Sequence, residues 1–223
     1  MLLDALDWLG HAGFRIRAGR AFVYIDPYRV PEGSPPADLI LITHGHYDHF
    51  SPQDVERLST KRTWLVGPAA VAERVSGQVH SIAPGESLDD ELVRGVHVGA
   101  VAAYNTSKRD PDGKVFHPRD AGWVGYEVNV WGERLYHSGD TDVIPEMDRV
   151  TGVDVALLPV SGIYVMTAQE AAAFSRIRTS TGALSANARA SASVPMCSPQ
   201  CIGTATRGWI RRAASAASCA VIT

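Results

Sequence analysis

The chain has 223 residues, 45% of them hydrophobic, and a net charge of −3 at pH 7. This composition supports a buried core, whereas the balanced charge disfavours a nucleic-acid-binding protein, which would carry a basic face. No apolar run in the sequence reaches the roughly 20 residues of a membrane-spanning helix, and all three cysteines follow residue 196. We therefore expect a cytoplasmic protein that binds neither nucleic acid nor membrane. The sequence leaves homo-oligomerisation open.

The pattern of apolar residues predicts a strand-rich chain with short helices between the strands. Helices are predicted to begin at Pro52 behind the N-cap Ser51, at Pro68, and behind Thr167, which forms a capping box with Glu170. The predicted strands lie within residues 14–18, 22–25, 39–43, 63–67, 79–84, 93–104, 122–130, 133–141 and 153–162.

The loop after strand 39–43 concentrates metal-binding side chains in an H-x-H-x-D-H pattern formed by His44, His46, Asp48 and His49. Side chains two positions apart in an extended segment point to the same side, so the first two imidazoles can converge on one metal ion. The aspartate and the last histidine can then turn toward a second ion. Imidazole and carboxylate suit Zn²⁺, and also Mn or Fe. A solvated surface loop is the alternative, and it is disfavoured because the whole chain has only eight histidines.

Further motifs accompany this loop between about Trp8 and Phe174. In chain order they read WLGHAGFRI, VYIDPY, ADLILITHGHYDHF, FHPRDAGWVGYEV, YHSGDT and DVALLPVSGIYVMTAQEAA. Together they resemble the metallo-β-lactamase superfamily, in the branch of small hydrolases related to the ascorbate-6-phosphate lactonases. The resemblance implies an α/β fold, a four-layer αββα sandwich with a site for two metal ions at one edge. It also implies metal-dependent hydrolysis of a small ester, lactone or phosphoester, in which Asp48 binds metal and orients the nucleophile.

The same resemblance implies further site residues. Asp140 matches the aspartate that bridges the two ions, the alternative being an ordinary turn residue. The family places a third imidazole for the first ion where this chain has Asn105, so we predict His117, the next histidine, with no third ligand as the alternative. His11 is predicted to lie near the site, in contact with substrate or with a ligand, unless it is a packed histidine. His80 and His97 are predicted to be structural, and His137, which precedes the Gly-Asp turn, is predicted to point away from the metal ions.

The end of the chain departs from the family. We predict a hydrolase domain over residues 1–178 and an anomalous tail over residues 179–223, because residues 171–223 contain no Asp, Glu, Lys or His. The family ends its ligand set with Pro-Met-His, whereas this chain has Cys197 after Pro-Met. A thiolate could replace the imidazole. The alternative hypothesis is a reading-frame shift after about Arg178, since degenerate codons in the other frame permit Pro-Met-His-Trp.

The shifted frame predicts a weakened second metal site, which would keep Asp48, His49 and Asp140 at best. We also expect a tail without a stable fold and an open edge on the second sheet. Two alternative functions follow: a catalytically impaired relative that binds metal or a ligand, and a nuclease of the same superfamily. The chain is too short for the additional nucleic-acid-binding domain of such nucleases, and no nucleotide-binding glycine motif is present.

Overall fold

Two β-sheets pack face to face in the computed structural model, which describes residues 1–88, 92–178 and 219–222. The first sheet has the strand order of the sequence: β1 (Leu6–Gly10), β2 (Gly13–Ala18), β3 (Ala21–Ile25), β4 (Leu39–Leu41), β5 (Trp64–Gly67) and β6 (Gln78–Ser81). The second sheet runs in the order β11-β10-β9-β8-β7, formed by β7 (Val96–Ala102), β8 (Val124–Val130), β9 (Glu133–His137), β10 (Val155–Pro159) and β11 (Cys219–Ile222).

Alternating side chains of the strands fill the space between the sheets. In β4, Leu39 and Leu41 join the central hydrophobic cluster, whereas Ile40 points to the outer face of its sheet. In β10, Leu157 joins the same central cluster and Leu158 points outward. These strands are apolar on both faces because each sheet is covered by its partner sheet inside and by helices outside.

Helices cover the outer face of each sheet, so the predicted αββα sandwich is confirmed. The first sheet carries α1 (Pro52–Leu58) and α2 (Ala69–Ala72), and the second carries α3 (Ala168–Arg178). Two predicted helix starts are confirmed in detail. The Ser51 Oγ accepts a hydrogen bond from the Asp54 amide. Thr167 and Glu170 cap each other reciprocally through side chain and backbone.

Two strands differ from expectation. β1 was not predicted, because five residues that include an aspartate give little alternation; it forms by antiparallel pairing with β2 across a tight turn. The expected open edge of the second sheet is wrong, because Cys219–Ile222 pairs antiparallel with β10. The remaining predictions for the tail, including Cys197 as a ligand and the shifted frame, lie outside the described residues. Within the described ranges, no helix has the length and apolar character that a membrane crossing requires.

Gly139 provides a test of how tightly the two sheets meet near Asp140. It has φ +60°, and an added Cβ would lie 2.7 Å from the Val124 carbonyl oxygen and 3.1 Å from the Thr43 Cβ. We expect Gly139→Ala to lower the free energy of unfolding by about 2–4 kcal/mol, from left-handed backbone strain plus overpacking. Gly113→Ala is the matched control, since Gly113 has φ +80° with open space around it. It should cost only about 1 kcal/mol in urea denaturation, and equal losses would contradict the packing argument.

Candidate metal centre

The candidate centre lies where strands of both sheets end at one edge of the sandwich. β3 and β4 run parallel, so the residues that follow them emerge side by side. The two sheets are joined at this edge because the Tyr126 hydroxyl donates to the Ile42 carbonyl (2.8 Å) and the Val124 amide donates to the Thr43 carbonyl (3.1 Å). The structure brings together every site residue that was predicted from sequence: His11, His44, His46, Asp48, His49, His117 and Asp140.

The first cluster contains His44, His46 and His117, whose ligand atoms lie within 4.8 Å of one another. The Nε2 of His44 is 3.1 Å from the Nδ1 of His46. The Nδ1 of His117 donates to the Asn105 Oδ1 at 2.7 Å, and the Asn105 Nδ2 donates to Asp142, which fixes the orientation of the amide. The unprotonated Nε2 of His117 is therefore the atom available to a cation.

Asp26, buried at the end of β3, orients two histidines of the loop. Its Oδ2 accepts from the Nδ1 of His49 (2.8 Å) and from the Thr43 hydroxyl (2.6 Å). Because that hydroxyl donates to Asp26, it accepts from the Nδ1 of His44 at 3.0 Å. The carboxylate thus places the Nδ1 proton of both imidazoles away from the centre, directly for His49 and through Thr43 for His44, and directs each Nε2 toward the centre, where its lone pair becomes available once it is unprotonated.

His49 supplies the strongest indication that a cation belongs here. Its side chain is 0% exposed, and among the described residues its Nε2 has no hydrogen-bond partner. The nearest carboxylate oxygen, Asp140 Oδ2, is 3.4 Å away. An unpartnered buried polar atom is unfavourable unless something coordinates it. A divalent metal ion would use this lone pair, so the donor set fits the metal that the sequence motif predicts.

A second cluster lies on the solvent side of His49. It consists of His11, Asp48 and His49, with the Nε2 of His11 3.0 Å from the Oδ2 of Asp48. Asp140 connects the two clusters, because its Oδ2 is 3.3 Å from the Nε2 of His117 and 3.4 Å from the Nε2 of His49. Asp140 therefore lies between the two clusters, close to an imidazole of each.

The spacing of these donor atoms suits a shared cation. Four pairs of facing donor atoms are separated by 3.0, 3.1, 3.3 and 3.4 Å. Ligands about 2.0–2.1 Å from a tetrahedral zinc ion lie roughly 3.3 Å from one another. The observed separations are close to that value, so a cation could be bound with little movement of the side chains.

Local electrostatics favour a neutral His44 and an ionised pair of His49 with Asp140. Burial lowers the pKa of His44 well below its ordinary value, and the nearby His49 lowers it further. Burial also opposes the charged form of His49, but Asp140 and Asp26 outweigh it and raise that pKa well above the ordinary value. Burial acts to raise the pKa of Asp140, yet His49 and His117 hold it well below its usual range. Cation binding should therefore displace a proton from His49.

His137 is not available to the centre, in agreement with the prediction that it points away from the metal ions. Its Nε2 donates to the Ala12 carbonyl at 2.9 Å, and its Nδ1 accepts from the Gly139 amide at 3.2 Å. Both ring nitrogens are thereby used in joining the β1–β2 turn to the loop that carries Asp140. Burial lowers the pKa of this imidazole, in agreement with a neutral packed residue.

Three contributors to the site were not predicted from the sequence. Asp26 and Asn105 hold imidazoles by hydrogen bonds, and the Trp123 ring lies 4.9 Å from that of His44 and 4.8 Å from that of His46. A signal existed for Asp26, since a charged residue directly after a buried strand must have partners. No local pattern marks Trp123, whose position depends on pairing within the second sheet.

Comparisons with known proteins show which family the chain is similar to. The sequence profile of the beta-lactamase superfamily domain matches residues 5–179. A metal-dependent hydrolase of Methanoculleus marisnigri is 33% identical over 174 residues, which cover 74% of this chain and 72% of the relative. One from Thermoplasma volcanium is 36% identical over 177 residues, covering 71% and 72%. Among solved structures, a candidate metal-dependent hydrolase of Parabacteroides distasonis has a TM-score of 0.68 at 30% identity, covering 77% of this chain and 76% of the other.

The role of Asp26 can be tested by Asp26→Asn. The carboxylate accepts three hydrogen bonds on its two oxygens, whereas an amide has only one acceptor oxygen and its NH2 group would face a donor. His44 and His49 should therefore lose their fixed tautomers. Loss of such a supporting partner typically weakens metal binding about 10- to 100-fold, and we expect this for Zn²⁺ in competition with a chromophoric chelator. Asp38→Asn is the control: Asp38 caps the opposite end of the strands by accepting from the Phe22 amide at 2.8 Å. Equal zinc affinities in the two variants would contradict the assignment.

Proposed function

The chain belongs to the beta-lactamase superfamily, and on that basis we propose that it hydrolyses an ester, lactone or phosphoester of a small molecule at a two-metal centre. The family includes named metal-dependent hydrolases, which agrees with the predicted class of enzyme. The single observation that carries the proposal is the buried Nε2 of His49, which has no hydrogen-bond partner in the described part of the chain and faces Asp140. Zn²⁺ is the first choice, with Mn or Fe as alternatives, because the donors are nitrogen and oxygen.

The residues divide between two ions. His44, His46 and His117 would hold the first, Asp48 and His49 would hold the second, and Asp140 would contact both. When bound, the ions would polarise the scissile group and lower the pKa of a water molecule to near neutrality. The protein provides the orientation of these donors through Asp26 and Asn105.

Asp48 is the residue to which we assign orientation of the attacking water. Burial acts to raise the pKa of its carboxyl, but the hydrogen bond from His11 and the nearby charges of His49 and His11 together outweigh burial and lower it, so the carboxylate stays ionised. Its side chain is 27% exposed, in contrast to the fully buried His49. An ionised, accessible carboxylate can accept a hydrogen bond from water next to the electrophile.

Aromatic side chains beside the second cluster favour substrates with an apolar group. Tyr47 is 76% exposed, and its ring lies 6.1 Å from that of Tyr28. Tyr28 in turn lies edge-on to His11 at 6.2 Å. Exposed aromatic rings at the mouth of a polar site can bind the non-reacting part of a ligand. We therefore propose aryl esters and aryl phosphoesters as the first substrates to test.

The proposed setting is the cytoplasm, without nucleic-acid or membrane partners. The first 196 residues contain no cysteine, which is typical of a protein that does not depend on disulfides. The net charge of −3 does not favour binding to a polyanion. A small molecule is accordingly the partner that we propose.

The test is metal removal and restoration. The purified chain is treated with a chelator, supplied with Zn²⁺, Mn²⁺ or Fe²⁺, and assayed with an aryl acetate, a γ-lactone and an aryl phosphate. We expect hydrolysis of at least one substrate to disappear with the metal and return with it, and Asp140→Asn to lower kcat/KM by about 100-fold or more. His80→Asn, on β6 and outside the centre, is the control.

Hydrolysis that persists without metal would contradict the proposal. Metal binding without turnover of any ester, lactone or phosphoester would instead support the catalytically impaired relative. That alternative is favoured by one feature of the sequence, namely that no histidine follows His137.

A further inference from the structure

We propose that His11 is itself a metal ligand, which binds the second ion through Nε2 together with Asp48 and His49. This inference rests on the proposed two-metal function and adds to it a ligand from the turn between β1 and β2. The sequence predicts for His11 only a contact with substrate or with a metal ligand. In the structure, a ligand atom of His11 lies within 4.8 Å of those of Asp48 and His49, the same limit that holds between those two.

The geometry of the second cluster supports a shared ion. The ligand atoms of His11, Asp48 and His49 all lie within 4.8 Å of one another, and the His11 and His49 rings meet edge to face at 5.2 Å. His49 contributes the buried Nε2 that has no hydrogen-bond partner among the described residues. His11 and Asp48 are 20% and 27% exposed. With Asp140 as the shared carboxylate, these three side chains would leave the ion open toward solvent, as in a catalytic metal site rather than a closed structural one.

The backbone at His11 is held in an unfavourable conformation. Its φ is +51°, in the left-handed region that costs a non-glycine residue roughly 1–2 kcal/mol. The neighbouring Gly10 has φ +109°, so glycine is already used in this turn where no side chain is needed. The Trp8 indole donates to the His11 carbonyl at 2.9 Å and stabilises the strained residue. Strain of this kind persists where the side chain has a function.

Elimination of the other imidazoles points to the same residue. The chain has eight histidines, and three of them form the first cluster. His137 uses both ring nitrogens in hydrogen bonds to the backbone. His80 and His97 belong to β6 and β7 and to none of the metal-binding groups found in the described part of the chain. His11 is therefore the remaining imidazole that can join Asp48 and His49.

The test compares His11→Gln with the His80→Asn control in titrations of the metal-free protein with Co²⁺ and Zn²⁺. Glutamine can still donate a hydrogen bond to Asp48, but its amide is a poor metal ligand, so the variant separates the two roles. We expect the wild-type chain and the control to bind two equivalents. His11→Gln should keep the first equivalent and lose about 100-fold or more in affinity for the second, with a changed Co²⁺ absorption spectrum.

A second variant distinguishes the loss of a metal ligand from a folding defect. His11→Gly is compatible with φ +51°, and added imidazole should restore its second equivalent. Unchanged binding of the second ion by His11→Gln would overturn the inference and leave the proposed function intact. A wild-type chain that binds one ion, with no difference in His11→Gln, would also overturn it, whereas a wild-type chain that binds no metal would overturn the proposed function as well. Loss of only the second equivalent in His11→Gln, regained with imidazole in His11→Gly, would establish His11 as a ligand.

Discussion

The buried carboxylate of Asp26 is the interaction on which the rest of the centre depends. Its Oδ1 accepts from the Thr43 amide at 2.7 Å, and its Oδ2 accepts from the Thr43 hydroxyl and from the Nδ1 of His49. Thr43 directly precedes the H-x-H-x-D-H loop and His49 ends it, so one carboxylate fixes both ends of the loop. Hydrogen bonds to a charged group are the strong ones in a protein interior, which explains why so short a loop can hold its imidazoles in place.

A second buried carboxylate plays the corresponding part in the other sheet. Asp142 accepts from the Thr106 and Ser107 amides at 2.8 and 3.1 Å and from the Asn105 side chain at 3.2 Å. Burial acts to raise the pKa of Asp142, but these backbone donors outweigh it and lower the pKa. Asn105 then holds His117. In each half of the centre, a buried carboxylate therefore orders a loop, and that loop holds an imidazole in place.

The structural features that depend on neighbouring residues in the chain could be predicted from the sequence. Alternating apolar residues located the strands, and side-chain caps located the starts of α1 and α3. The H-x-H-x-D-H spacing identified the centre because all of its members lie on one loop. His117 was left open because its place depends on Asn105, twelve residues earlier, which accepts from both its backbone and its ring. The role of Asp26 could not be predicted from the sequence either, since it follows from the parallel pairing of β3 with β4. β11 was missed because no period marks the segment around Cys219–Ile222.

The centre is asymmetric in its access to solvent, and this asymmetry has a chemical consequence. His44, His49 and His117 are almost fully buried, whereas His11 and Asp48 are partly exposed. Charges interact more strongly where water is excluded, so an ion at the buried side should be held more firmly than one at the exposed side. The exposed side also lies beside the tyrosine rings. In the proposed function, retention of metal and contact with substrate would fall on opposite sides of Asp140, so that this single carboxylate between the clusters would couple them.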